Sequence, residues 1–186
     1  MHPDYRFCPR CATPLELRAL DGRERQLCPA CGFTHWNNPT PVVAALLQLG
    51  EEILLARNAA WPPRMFALIT GFLERDESPE EGVAREVKEE TNLDADRIEL
   101  IGVYPFARKN ELIIAYHVQA SGEVRLSEEL ADYRLVEPAR LRPWRMGTGL
   151  AMADWMRRRG LEVEFMDLPQ RPARDGGDAA GGHDNG

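Results

Sequence analysis

GFLERDESPEEGVAREVKEETNL, running from Gly71 to Leu93, is the stretch on which the reading of this chain turns. Ser78-Pro79-Glu80-Glu81 marks a helix start: Ser at the N-cap, Pro in the first turn, Glu at the capping-box position. Asn92 is a suitable terminator, because asparagine tolerates the left-handed conformation. Between them Glu86, Glu89 and Glu90 stand at i, i+3 and i+4 and share one face. On a helical wheel they span an arc of about 100°, flanked by Val83 and Val87 as core anchors, with Arg85 pointing away from it.

Three carboxylates so close repel one another, by a few tenths of about 1 kcal/mol per exposed pair and by more when buried. A helix selected for stability alone would alternate Glu with Lys. Hard oxygen donors converging on one spot suit Mg²⁺ or Mn²⁺, which would relieve the repulsion. A solvated acidic face is the competing reading of the cluster by itself.

Around this helix the chain divides by composition. Residues 1–38 hold all four cysteines, residues 39–166 alternate apolar runs with two amphipathic stretches, and residues 167–186 are rich in Gly, Asp and Ala. That last segment has almost nothing to bury and reads as a disordered tail. In the middle region PVVAALLQLG and EEILLARN predict two strands meeting at a turn near Gly50. FALIT predicts a short buried strand leading into Gly71, and IELIGVYPF and ELIIAYHVQA predict two more. GEVRL and YRLVE add short strands, and TGLAMADWMRRR a closing helix. Strands on both sides of a helix without regular alternation predict an α+β fold, a sandwich built on a mixed sheet.

Cys8-Pro-Arg-Cys11 and Cys28-Pro-Ala-Cys31 are two C-x-x-C knuckles separated by sixteen residues. Each pair presents two thiolates, and together they complete a tetrahedral, closed and therefore structural Zn²⁺ site. Two disulfides are the alternative, disfavoured in a reducing compartment. His35 is not needed as a ligand. The segment through residue 36 carries five Arg against four Asp or Glu, so its charge does not mark a nucleic-acid finger. The formal net charge of -7 likewise argues against a protein that grips phosphate backbones. The longest apolar run, Val42 to Leu49, is too short to span a bilayer, and the N-terminal residues are polar. These features predict a cytoplasmic protein with no membrane partner.

The helix and its flanks together match a longer pattern. Gly71, Glu77, Arg85, Glu86, Val87, Glu89, Glu90 and Leu93 fall in register with G-x(5)-E-x(7)-R-E-U-x-E-E-x-G-U, where U is a bulky apolar residue. This resembles the Nudix box, with Asn92 standing where the family has Gly. The resemblance implies an α/β/α Nudix sandwich after the zinc ribbon. It implies that Glu86, Glu89 and Glu90 are the catalytic Mg²⁺ or Mn²⁺ ligands, with Glu86 or a neighbouring carboxylate as base. It gives Gly71 the role of the loop glycine beside the metal, and Glu77 and Arg85 that of a brace between loop and helix. Family members also take a carboxylate from beyond the box, for which Glu129 is the candidate and Glu128 the fallback.

The order zinc ribbon then Nudix domain resembles NADH, ADP-ribose and FAD pyrophosphatases. The reaction implied is hydrolysis of the diphosphate of a nucleoside diphosphate derivative, releasing a nucleoside monophosphate and a second phosphorylated product. NADH pyrophosphatases carry S-Q-P-W-P-F-P-x-S after the box. This chain has only Val103-Tyr104-Pro105-Phe106-Ala107, a truncated counterpart that does not specify NADH. Tyr104 and Phe106 are candidates to stack on a base, and Arg108 and Lys109 to touch phosphate. Packing of one aromatic in the sheet beside a solvated basic turn is the competing reading. Trp36, Trp61 and Phe66 are expected in core or lid positions. Capped RNA is a secondary substrate, and a homodimer is expected by resemblance. The non-enzymatic alternatives are a nucleotide sensor or regulator and a zinc-ribbon adaptor for RNA or protein.

Overall fold

The apolar run Val42–Leu47 becomes the middle of the molecule because every one of its side chains has a core to enter. In the computed structural model, which describes residues 5–167, these residues belong to a ten-residue strand. The elements in chain order are β1 (Glu16–Leu20), β2 (Arg23–Leu27), β3 (Thr34–His35), β4 (Thr40–Leu49), β5 (Glu52–Asn58), β6 (Ile69–Phe72), α1 (Pro79–Thr91), β7 (Asp94–Phe106), β8 (Glu111–Ser121), β9 (Leu130–Val136) and α2 (Thr148–Arg158). Strand alternation sends Val42, Ala44 and Leu46 into one core, with Ala151, Met152, Trp155 and Met156 of α2. It sends Val43, Ala45 and Leu47 into the other, with Val83 and Val87 of α1. The sheet is thus covered on both faces, the expected α/β/α sandwich.

The sheet runs β7-β8-β4-β5-β9, with β6 also paired to β4. β8 lies parallel to β4 along its whole length and the other pairs are antiparallel, so the sheet is mixed. β5 holds the opposite edge of β4 only over Leu47–Leu49. It then diverges, and β6 occupies the vacated edge from Val42 to Ala45. The divergence of β5 from β4 opens the sheet beside the C-terminal end of α1, and that is where the carboxylates gather.

GEVRL does not form the expected strand. Gly122 turns the chain at φ +116°, and residues 122–129 become a strap across the end of α1. The Arg125 and Ser127 amides donate to the Thr91 and Glu90 carbonyls at 2.9 and 3.0 Å, and Asn92 Nδ2 donates to the Glu123 carbonyl at 3.1 Å. Carbonyls left open at a helix C-terminus need donors, and the strap supplies them. FALIT is also displaced: the strand begins at Ile69 and carries on through Gly71 to Phe72.

The N-terminal module is a separate three-stranded antiparallel sheet, β1-β2-β3. Its hairpin turns at Asp21-Gly22, both at positive φ (49° and 75°), as a two-residue connection of this kind requires. Asn110, at the end of the β7–β8 connection, donates through Nδ2 to Asn37 and Asn38 and ties the module's exit to the larger sheet. No helix among the described residues is long and apolar enough to cross a membrane. The tail expected over 167–186 lies, apart from Asp167, outside the described residues.

Candidate functional site

Cys8, Cys11, Cys28 and Cys31 bring their sulfurs within 4.8 Å of one another. Each knuckle is folded by its own backbone: the Ala12 amide donates to the Cys8 carbonyl and the Gly32 amide to the Cys28 carbonyl, with Ala12 and Gly32 both at positive φ. Hydrogen bonds from Thr13, then from Cys28, draw the Cys11 thiol down to about 6. Cys31 keeps its proton: a lowering hydrogen bond from the Phe33 backbone is outweighed by desolvation and by the other three sulfurs, which push it up to about 12. The donor set fits Zn²⁺ in a closed structural site. Cys8 and Cys28 are buried and provide most of the core of this module. Cys28→Ser is therefore expected to release zinc and unfold residues 5–37, measured as loss of one bound zinc per chain and a smaller unfolding enthalpy. Retained zinc with an unchanged transition would contradict that role.

On α1 the expected start and stop are both observed. Ser78 and Glu81 form a reciprocal capping box, and Asn92 caps the C-terminus at φ 64°. Arg85 does not point away from the carboxylates. Its guanidinium grips both oxygens of Glu77 at 3.0 and 3.1 Å and also donates to Glu86 at 2.8 Å, Glu89 at 3.0 Å and the Phe72 carbonyl at 3.1 Å. The correction is one of wheel geometry: position 85 is only about 40° from position 89, and a long side chain spans that gap. Glu77 is held well below the usual carboxylate range by Arg85 and accepts the Glu74 amide at 2.7 Å. The loop before α1 is thus anchored to the helix through one Arg–Glu fork.

Gly71 sits against Glu86. A Cβ at this position would overlap the Glu86 carboxyl group, so any larger residue would have to push that carboxyl aside. Glu90 lies on the other flank of the arc, in a cleft lined also by Ala56, Asn58, Trp61, Leu68, Ile69, Thr70, Leu130 and Glu129. Glu129 arrives from the strap, whose Ser127 amide bonds the Glu90 carbonyl. Glu128 is exposed and is not part of the cleft wall. Desolvation first, then the charges of Glu86, Glu129 and Glu89, push Glu90 up to about 7. Burial also raises Glu86, against the pull of Arg85.

A carboxylate raised from 4.5 to about 7 makes a testable contribution to stability. The folded state holds the Glu90 proton more tightly than the unfolded chain, so the associated stability is complete below about pH 4.5 and is lost as pH rises through about 7. Zinc-loaded protein without magnesium should show a falling melting temperature across this window. Glu90→Gln should flatten the fall, and an equally steep slope in the variant would assign it to other groups.

The aromatic and basic candidates behave differently. Tyr104 is buried and its hydroxyl donates to Asp154 Oδ2 at 2.9 Å, so it packs under α2 with no ring face open to a base. Phe106 is half-buried against the same core, with Lys109 Nζ 5.9 Å from its ring centre. Arg108 is exposed. All three belong to β7 or the turn after it, and β8 and β4 separate that strand from the cleft. Trp36 lies on the small module beneath the Arg25 guanidinium, and Phe66 beneath that of Arg134. Sequence reading missed Asn58 and Thr70 as cleft residues, because a polar residue at a strand end carries no distinctive signal. It also missed Phe72, which is 61% exposed and, by strand alternation, shares the face of Thr70.

A sandwich carrying this helix and this cleft, behind a four-cysteine ribbon, defines a Nudix-type domain. Family models agree: the NUDIX domain matches residues 38–157 and the Nudix N-terminal zinc ribbon residues 6–37, so the chain belongs to the NUDIX family. It is 36% identical over 132 residues to a protein of Stutzerimonas stutzeri named NAD-capped RNA hydrolase NudC, covering 70% of this chain and 47% of that one. A Pseudomonas aeruginosa protein of the same name is 33% identical over 125 residues, covering 67% of this chain and 44% of that one. The chain therefore spans just under half the length of these relatives. Among solved structures, a NUDIX hydrolase from Nitrosomonas europaea superposes with a TM-score of 0.65 at 24% identity, covering 87% of this chain and 99% of that one.

Proposed function

We propose that this protein is a pyrophosphohydrolase that cleaves the diphosphate of a nucleoside diphosphate derivative. The observation that carries the reading is the approach of Glu90 and Glu129, from two separate elements, to one cleft, with Glu86 wedged behind Gly71. Such a set of repelling, partly desolvated oxygen donors fits a hard divalent cation. Glu86, Glu89, Glu90 and Glu129 would hold Mg²⁺ or Mn²⁺, which supplies charge screening and a water of lowered pKa when bound. Glu77 and Arg85 fix the loop that carries Gly71. Glu86 and Glu90, whose burial lifts them toward neutral pH, are the groups suited to accept a proton from the attacking water. The products are a nucleoside monophosphate and a second phosphorylated fragment.

NAD, NADH, ADP-ribose and FAD are the small substrates of choice. Capped RNA is the second reading, favoured by the names of the relatives. A homodimer is part of the same proposal. The test is incubation of the purified protein with Mg²⁺ or Mn²⁺ and NADH, NAD⁺, ADP-ribose, FAD, diadenosine polyphosphates and NAD-capped RNA, with products separated by chromatography. Metal-dependent release of a nucleoside monophosphate is expected. No turnover of any of them, with zinc bound, would turn the reading toward a sensor or an adaptor.

A further inference from the structure

Asn92 is the position at which the stretch Gly71–Leu93 departs from the Nudix pattern, which has glycine there. The residue closes α1 at φ 64° and ψ 5°, with its amide donating to the Lys88 carbonyl at 2.9 Å. Glycine takes that left-handed conformation without steric cost, whereas the Cβ of any other residue crowds the backbone, in asparagine less than in most. For a cap alone, glycine would serve at least as well. What asparagine adds is a donor: its Nδ2 reaches the Glu123 carbonyl at 3.1 Å.

That bond is the first of a series. Asn92 holds Glu123, the Thr91 carbonyl accepts the Arg125 amide at 2.9 Å, and the Glu90 carbonyl accepts the Ser127 amide at 3.0 Å. Each step of one residue back along the helix is matched by two residues forward along the strap, and the next in the series is Glu129. There the chain turns: the Leu130 amide donates to the Ser127 carbonyl at 3.2 Å, and the Ala59 amide holds the Glu129 carbonyl at 2.8 Å. Residues 122–129 form no strand, so these bonds carry their register. Two of the three bonds to the helix come from backbone amides and are open to any sequence. The first is made by a side chain, and glycine in its place removes it. Glu129, at the far end of the series, lines the cleft with Glu90, and its charge is among those that raise the Glu90 carboxyl.

We infer that Asn92 is a positioning residue for Glu129: its side-chain amide fixes the start of the strap against the end of α1 and so holds the fourth carboxylate of the proposed metal site within reach of Glu90. The inference rests on the proposed role of Glu129 and goes beyond it by naming what places that residue. Asn92→Gly is the informative variant, because it keeps the left-handed cap and removes the donor. In zinc-loaded protein without magnesium, the Arg125 and Ser127 amides should exchange hydrogen about threefold to tenfold faster than in the wild type, the range given by the net contribution of one hydrogen bond. The β4 amides and the melting temperature should stay close to wild type. Mn²⁺ binding to the same protein, read by calorimetry and by the paramagnetic resonance of the free ion, should weaken by about the same threefold to tenfold. Glu129→Gln should weaken it by a larger factor, and the double variant by no more than Glu129→Gln alone. Wild-type values for either strap exchange or Mn²⁺ affinity in Asn92→Gly would reduce Asn92 to a cap and overturn the inference. An effect on Mn²⁺ that persists undiminished in the Glu129→Gln background would do the same, since it would bypass Glu129. Unchanged Mn²⁺ affinity in Glu129→Gln itself would remove the metal-holding role of Glu129 and this inference with it. The full pattern, with none of the compounds named above hydrolysed, would overturn the hydrolase reading and leave the positioning role standing.

Discussion

Replacing Glu89 and Glu90 together by glutamine is expected to lower metal-dependent hydrolysis by at least about a thousandfold while leaving the melting temperature unchanged or higher. The loss follows from removing two of the proposed oxygen donors, where even one preorganised electrostatic group is typically worth about a hundred- to thousandfold. The stability effect has the opposite sign for a reason visible in the site. Glu90 is desolvated and surrounded by Glu86, Glu129 and Glu89, so its charge opposes folding near neutral pH. A neutral amide of the same shape removes that opposition. Glu89 gives up its contact with Arg85, but Glu89 is 59% exposed, and an exposed pair of this kind contributes about 0–1 kcal/mol. Activity and stability moving apart is the signature of a functional acidic cluster. An acidic face that served only solubility would leave turnover intact, so full activity in the double variant would sink the assignment.

How much of this was legible beforehand depends on the range over which each residue acts. The helix start at Ser78, its end at Asn92 and the carboxylate arc are local features, set by spacings of three and four residues, and the structure has them where the sequence puts them. The paired knuckles are equally local, and the four sulfurs meet. Long apolar strands such as Val42–Leu47 declare themselves because they are buried on both faces. The strap at 122–129 was not legible. Its short apolar alternation reads as a strand, and only the open carbonyls of α1, more than thirty residues earlier, explain why its amides bond there. Which of the two readings of Tyr104 holds was undecidable for a similar reason. Its neighbour Asp154 lies fifty residues away on α2, and nothing around Tyr104 in the sequence announces that the ring will be covered. Arg85 shows the limit of angular reasoning, since a wheel locates Cβ atoms and not the end of a guanidinium.

Gly71→Ala is expected to disturb the carboxylate cluster with a single methyl group. Gly71 is not at positive φ, so the objection to alanine there is not backbone strain. The obstacle is space: the new methyl would occupy the position of the Glu86 carboxyl group, which is buried to 13% side-chain exposure and tied to Arg85 at 2.8 Å. Either β6 withdraws from α1, weakening its ladder with Val42–Ala45, or Glu86 swings out and breaks its bond to Arg85. Overpacking of this sort costs about 1–3 kcal/mol. Displacement of a proposed metal ligand should lower hydrolysis by roughly a hundredfold or more on top of that. A double-mutant cycle separates the two parts. In a Glu86→Ala background the methyl has room, so Gly71→Ala should then cost little stability by urea denaturation, giving a coupling of at least about 1 kcal/mol between the two sites. Strict additivity would mean that Gly71 and Glu86 do not share this space, and the account of why glycine stands beside the carboxylates would have to be abandoned.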